Sequence, residues 1–259
     1  MTREAFRRLP VFRDLAIELV LRDIKLRYRR TALGILWLFV FPLIQILVFN
    51  FIFTIVLPTR IGRYSAFVSI GVLVWTWFQT SLVMATTAIT GNRELVRRPG
   101  MPAAVLPITT VATNMVLLLM AAPAIVALVF YGGGRIGSGV VLLPLVVAVQ
   151  FLLTLGIAYL VAGLNVTFRD TQHLVPLLLL LLFFLSPVFY DAGSVPAEYR
   201  TLYDLNPFVI LLSAYRAPIL NDAIPNVLQL AELGLVAAFV GLLGHTLFVR
   251  ASRRFAEEI

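Results

Sequence analysis

The chain has 259 residues, 60% of them hydrophobic and only 13% charged, with 21 Lys+Arg against 13 Asp+Glu and no cysteine. A soluble domain carries about 25% charged residues, so a water-soluble globule is excluded, as are a disulfide framework, a thiolate metal site and a thiol nucleophile. The basic surplus does not point to nucleic acid, because it sits beside long uncharged stretches, as membrane-flanking charge does.

The start of the chain shows no clean apolar run ahead of a small-residue cleavage site, so the first span is expected to direct insertion itself. Residues 11–30, VFRDLAIELVLRDIKLRYRR, have helical length and two apolar stripes. At about 100° per residue, Val11, Phe12, Leu15, Leu19 and Leu26 form one stripe, and Ile17, Leu21, Ile24 and Tyr28 the other. Two readings stand side by side. One is an interfacial helix that also touches protein, with Arg22, Lys25, Arg27, Tyr28, Arg29 and Arg30 near anionic headgroups; the other is a simple juxtamembrane anchor.

A helix that crosses the hydrocarbon needs roughly 20 mainly apolar residues. Six stretches are read as spans on that basis: 31–57, 64–90, 102–131, 138–167, 171–186 and 226–249. The fold class is therefore an all-α polytopic membrane protein with a single transmembrane domain over 1–259. Between the second and third spans, GNRELVRRPGMP concentrates charge in a basic, helix-length piece. Asn92 suits an N-cap, Glu94 the positive end of a short helix, and Arg97 and Arg98 its negative end. Its bland reading is a solvated loop that holds topology by its charge. At the fifth span Asp170 is expected to cap the helix, with His173 interfacial.

Residues 187–225 differ from the spans. They hold Asp191, Glu198, Arg200, Asp204, Arg216 and Asp222 together with five prolines, and their apolar runs are about half the length needed to cross. Two short helices are predicted, one opening at Ser194 with Pro196 in its first turn, the other opening at Asn206-Pro207. In the sixth span Glu232 is the one acid predicted within the bilayer. It is either functional or close enough to the surface to reach headgroups.

Six spans place both termini on one side. That side would carry 16 of the 21 Lys+Arg and the other side 5, so the positive-inside rule makes it cytoplasmic.

Four stretches then share one resemblance: RYRRTALGILWLFVFPLIQ, NRELVRRPGMPAAVLPI, LNVTFRDTQHLVPLLLLLLFFLSPVFY and LNPFVILLSAYR. In this order and spacing the chain resembles the permease subunit of type-two ABC exporters, in the branch that moves lipid-linked O-antigen, teichoic acid and related polysaccharides. The resemblance implies a homodimer in the bacterial inner membrane, beneath which two separate ATPase subunits dock. It makes the loop Asn92, Arg93, Glu94, Leu95, Val96, Arg97, Arg98 a coupling helix, residues 11–30 an interface helix, and 187–225 external gate helices that include Pro187, Tyr190, Pro196, Pro207 and Arg216. Leu95 and Val96 would then supply the buried contact with the ATPase. RRPGMP departs from many relatives, which continue with an aromatic residue before the next proline.

The chain contains no G-x-x-x-x-G-K-[ST] phosphate loop. It is therefore read as a non-catalytic translocase subunit without a cofactor of its own, ATP and Mg being bound by the partner. A glycan path needs aromatic faces and neutral hydrogen-bonding groups. Phe67, Trp75 and Phe78, on one face of the second span, and Gln45, Asn50 and Gln79 are candidates, against the plainer reading of such stripes as packing. No metal-ligand cluster is visible. The rival functions are a drug or small-lipid efflux permease of the same superfamily, and an ion-coupled secondary transporter, which calls for paired intramembrane acids and an inverted repeat. A membrane glycosyl enzyme would need a catalytic acid group.

Overall fold

The computed structural model describes residues 14–25, 36–59, 61–98, 100–131 and 137–255, and among these every regular element is helical. In chain order they are α1 (14–25), α2 (Trp37–Phe51) running into a wider turn at Ile52–Val56, α3 (Tyr64–Thr86), and a tight turn at Thr90–Asn92 that leads into α4 (Arg93–Val96). Then follow α5 (Val105–Tyr131), α6 (Leu143–Thr167) with a lead-in turn at Ser138–Leu142, α7 (Thr171–Phe184), α8 (Ala197–Tyr203), α9 (Pro207–Leu220) and α10 (Val227–Ser252).

Among the described residues four helices are long and apolar enough to cross a membrane: Tyr64–Thr86, Val105–Ala127, Ser138–Thr167 and Val227–Ser252. They coincide with the predicted second, third, fourth and sixth spans. The other two predicted spans hold shorter apolar helices, Pro42–Val56 and Thr171–Phe184. With 14 residues, α7 is about 21 Å long at 1.5 Å per residue, short of a hydrocarbon core of about 30 Å. The expected span over 171–186 thus holds a regular helix that ends at Phe184. Leu185 and Ser186 close its last turn onto Leu181 and Phe183, and Pro187, which has no N–H to continue the ladder, follows.

At the centre stands α3. Of its apolar window 67% is buried, against 28% for α10, so α3 is surrounded by protein while α10 keeps a broad outer face. Such all-round burial is what an unbroken apolar sequence favours. Polar side chains in these helices are satisfied locally: Ser69, Ser81, Thr109, Thr110 and Thr154 each donate to the carbonyl four residues back. Other bonds tie helix to helix. Trp77 Nε1 donates to the Val111 carbonyl of α5 at 3.2 Å, and Gln150 Nε2 on α6 donates to the Val74 carbonyl of α3 at 3.0 Å.

The longest seam joins α6 to α10. A Cβ on Gly156 would lie 2.7 Å from Gly241 N and from the Val240 carbonyl, so no larger residue fits without parting the helices. Such close backbone approach through small residues is the usual glue of membrane helices, where water supplies no drive to associate.

Two cores result. The larger fills the bundle around α3. A smaller one gathers Leu19 of α1, Ala88 and Ile89 after α3, Val105 and Leu106 of α5, Tyr159, Ala162 and Val166 of α6, and Phe248 and Phe255 at the far end of α10.

Candidate functional site

Two polar assemblies lie at opposite ends of α3. Its 23 residues separate them by about 35 Å at 1.5 Å per residue.

The first is the foot, residues 90–98. The expected two-turn helix from Asn92 to Arg98 is instead a tight turn, Thr90–Asn92, followed by a single turn of helix, Arg93–Val96. Asn92 does not cap it: the side chain turns back, and its Nδ2 donates to the Ala88 carbonyl at 2.9 Å. The reason is that Ala88 ends the previous helical path and leaves a free carbonyl within reach. Gly100, at φ +81, then redirects the chain in a conformation suited to glycine.

The foot sorts its side chains by chemistry. Arg93, Glu94, Arg97 and Arg98 are exposed, while Leu95 and Val96 are half-buried against the smaller core. Leu95 and Val96 thus pack in part on their own chain and keep part of their surface open. They are held by their own chain, because a one-turn helix lying on an apolar floor turns its two apolar residues inward.

The interface-helix stripes separate in the same way. Leu19 is buried and Leu15 packs beside it on the smaller core, whereas Ile17 and Leu21 stay exposed. This is the arrangement expected of a helix that touches protein on one face. Arg22 bonds its neighbour Asp23 at 3.0 Å and, with Arg93, Glu94 and Arg98, lines a cavity of about 470 Å³ between α1 and the foot. Lys25 is exposed. Arg27, Tyr28, Arg29 and Arg30 lie outside the described residues.

The second assembly is the mouth, formed where α7 ends and α8 and α9 return. Its backbone from Phe184 to Phe189 is irregular, and side chains from elsewhere collect its carbonyls. Asn206 Nδ2 donates to the Leu185 carbonyl at 3.1 Å and to Ser186 Oγ at 2.9 Å. Arg216 donates to the Pro187 carbonyl at 2.7 Å and to that of Val188 at 2.8 Å. The Tyr64 hydroxyl donates to Phe189 at 2.8 Å, and that of Tyr190 to Phe184 at 3.1 Å. Such backbone survives at membrane depth only when its polar groups find protein partners.

Arg216 is the centre of this arrangement and is buried. Besides the two carbonyls above it reaches the Phe67 carbonyl at 3.3 Å, and its guanidinium carbon lies 3.5 Å from the centre of the Phe67 ring. Gly71 makes room for it, since a Cβ there would lie 2.7 Å from an Arg216 nitrogen and closer still to the Val188 carbonyl.

Tyr203 donates to Tyr190 Oη at 2.9 Å. Burial first, and then this bond, push the Tyr203 phenol above its usual range, so it stays a neutral donor.

The predicted short helices form with one shift. Asn206 caps α9 by accepting from Phe208 N at 2.9 Å, with Pro207 in the first turn, as read from the sequence. The other helix opens later than expected, with Pro196 at the N-cap of α8, because Ala192–Ser194 is taken up in a turn held by Asp191. Asp170 makes no side-chain cap on α7; the Asn165 amide oxygen accepts from Gln172 N there instead.

The candidate path residues divide. Phe67, Trp75 and Phe78 are all buried. The Trp75 ring meets Phe78, Phe183 and Phe208, and its Nε1 donates to Gln79 Oε1 at 2.9 Å. Asn50 accepts from Ser65 Oγ at 2.7 Å, and Gln45 is half-buried. Glu232 lies on the exposed face of α10. Among the described residues no group of His, Cys, Asp or Glu is placed to hold a metal.

Sequence reasoning named Arg216 and Pro187 but missed that the first holds the second, and it missed the Gly156 seam. Glycines 234, 241 and 244, spaced along one apolar span, were the signal for the seam.

Comparison with known proteins supplies the family. Residues 15–220 match the family model described as ABC-2 type transporter. Over 255 residues, 98% of both chains, the protein is 36% identical to the O-antigen export system permease protein RfbA of Myxococcus xanthus. It is 27% identical over 245 residues, 94% of each chain, to the protein of the same name from Klebsiella pneumoniae. To the polysialic acid transport protein KpsM of Escherichia coli it is 27% identical over 237 residues, covering 86% of this chain and 89% of that one. With most of its length matched and its apolar helices in place, the chain belongs to the ABC-2 type transporter family.

Proposed function

We propose that this chain is the membrane-spanning permease subunit of an ATP-driven exporter of polysaccharide, of the O-antigen type, across the inner membrane. The observation that carries the reading is the 36% identity to an O-antigen export permease over 98% of both chains.

In this reading the protein works as a homodimer with six membrane crossings per chain and both termini cytoplasmic. The cargo is a lipid-linked glycan. Two copies of a separate ATPase, which bind ATP and Mg, supply the energy. The ATPase docks at the foot, and the exposed charges of Arg93, Glu94, Arg97 and Arg98 set its register, since polar contacts give orientation more than net affinity. Closure of the ATPase pair pushes the foot as a rigid body, and α1, α5, α6 and α10 share its core. A push there is passed to those helices together. The mouth, tied by Arg216, is the outer gate.

The glycan path runs between the two copies, and the burial of Phe67, Trp75 and Phe78 within one chain fits the plainer reading of that stripe as packing. Gln45, Asn50 and Gln79 are the candidates with half-open side chains.

Two measurements test this. Co-purification with the ATPase of a neighbouring reading frame, together with loss of surface polysaccharide on deletion of either gene, is the expected result; export by the purified chain without a nucleotide-hydrolysing partner overturns it. The chain has no cysteine, so single cysteines report sidedness. A cysteine at Ser194 should react with an impermeant maleimide on intact spheroplasts and one at Arg97 only after lysis; the reverse pattern overturns the orientation.

A further inference from the structure

A cavity of about 320 Å³ opens at the mouth where the start of α3 meets the end of α9, with Arg63, Ser213, Arg216, Leu220 and Asn221 in its wall. We propose that it is a binding site for the phosphate group of a phospholipid headgroup. The proposal takes from the export reading only that this end of α3 lies at a membrane surface.

Charge is the first argument. Two arginines, Arg63 and Arg216, line the cavity, and no acidic residue does. Among the described residues neither arginine makes an ion pair. Asp222, the nearest acid along the chain, is not in the cavity wall, and its Oδ1 lies 2.5 Å from where a Gly137 Cβ would stand. Arg216 is buried, yet it is held only by carbonyl oxygens and an aromatic face, and its Nε–H has no partner. A buried charge is ordinarily paired. The carboxylate that attracts Arg216, Asp191, makes no ion pair with it among the described residues and does not line the cavity, which leaves room for a ligand's negative charge beside Arg63.

Arg63 is the second. One of its nitrogens donates to the Leu220 carbonyl at 3.1 Å, which anchors the side chain at the end of α9. Its other donors find no partner among the described residues. Its backbone is left-handed, φ 53, an uncommon state for a residue with a long side chain. The positive end of α3, 23 residues long, opens beside it and adds to the field. Guanidinium is the group best matched to phosphate oxygens, with planar paired donors, and the exposed Ser213 and Asn221 add neutral donors.

The surroundings select a lipid over a free ion. Ile55 and Leu57, which lead into Arg63, are 68% and 60% exposed, and Ile224 and Leu228, which follow Asn221, are 66% and 70% exposed. Apolar side chains of this exposure have a place against acyl chains. The cavity lies within the size range of small-molecule sites, roughly 300–1,000 Å³, which accommodates a phosphodiester with part of its glycerol.

The test is native mass spectrometry of the full chain in detergent, titrated with dioleoylphosphatidylglycerol. Arg63→Gln removes the anchored charge, and Ser213→Phe fills the cavity from an exposed position while leaving both arginines in the chain. Arg200→Gln, at the same end but outside the cavity, is the control. One lipid should be retained by the unmodified protein and by the control, with retention falling about tenfold in Arg63→Gln and Ser213→Phe, as loss of charge-assisted phosphate bonds predicts. Equal retention in those two variants overturns the proposal. So does complete displacement of the lipid by millimolar inorganic phosphate, which would assign the site to a free anion. No transport is read in this assay, so its failure and failure of the export reading are separate outcomes.

Discussion

The two ends of α3 solve opposite problems with the same residue type. At the foot, arginines stay in water, and an apolar floor holds the loop in place by its two inward residues, Leu95 and Val96. At the mouth an arginine is taken inside and becomes the fastener, with three carbonyls and a phenyl ring around it. The difference teaches where each end can tolerate change. A foot that presents charge outward can be rewritten in charge without loss of fold. A mouth that uses charge inward cannot.

The sharpest way to break this contrast is Gly71→Val. The added methyls have to enter space held by the Val188 carbonyl and Arg216, so the expected outcome is no monodisperse folded protein by size-exclusion chromatography. Next is Arg216→Ala. Each carbonyl left buried and unpaired costs about 1–3 kcal/mol, so a loss of ~3 kcal/mol or more in unfolding free energy in detergent is expected. Arg216→Lys, which keeps the charge but not the fork, should recover less than half of it. At the foot, Leu95→Asp should lower stability by about 1–2 kcal/mol, since it removes a half-buried side chain, whereas Arg97→Glu should shift it by less than ~0.5 kcal/mol while abolishing surface polysaccharide. Equal thermal shifts for Arg97→Glu and Arg216→Ala would sink the contrast. The smallest expected effect is Trp75→Phe, which removes one hydrogen bond, worth about 1 kcal/mol, and should leave export intact because the ring meets only its own chain. Lost export at normal abundance would instead restore Trp75 to the path.

Much of this architecture is written locally. The long uncharged stretches give the second, third, fourth and sixth spans, and the Asn206-Pro207 pair gives the start of α9, because length, hydropathy and capping are properties of a few neighbouring residues. The same local logic failed where a competitor lay close in space. Asn92 looked like a cap, but a carbonyl one turn back was the nearer acceptor. Asp170 looked like a cap, and Asn165 from the preceding helix served instead. Nor does anything in GNRELVRRPGMP reveal the floor that α1, α5, α6 and α10 build beneath Leu95 and Val96.

By itself the sequence determined a membrane-embedded helical chain, the order of its elements, the placement of its basic residues and its likeness to polysaccharide export permeases. These depend on composition and short-range pattern, which an apolar solvent reads directly. Only the tertiary structure decided that α7 gives way to irregular backbone after Phe184, that Arg216 in α9 fastens Pro187 and Val188 while resting on Phe67, and that Gly156 brings α6 and α10 into backbone contact. Those contacts join residues as many as 149 positions apart, and in a medium without water each buried polar group must find its partner wherever the packed helices place one.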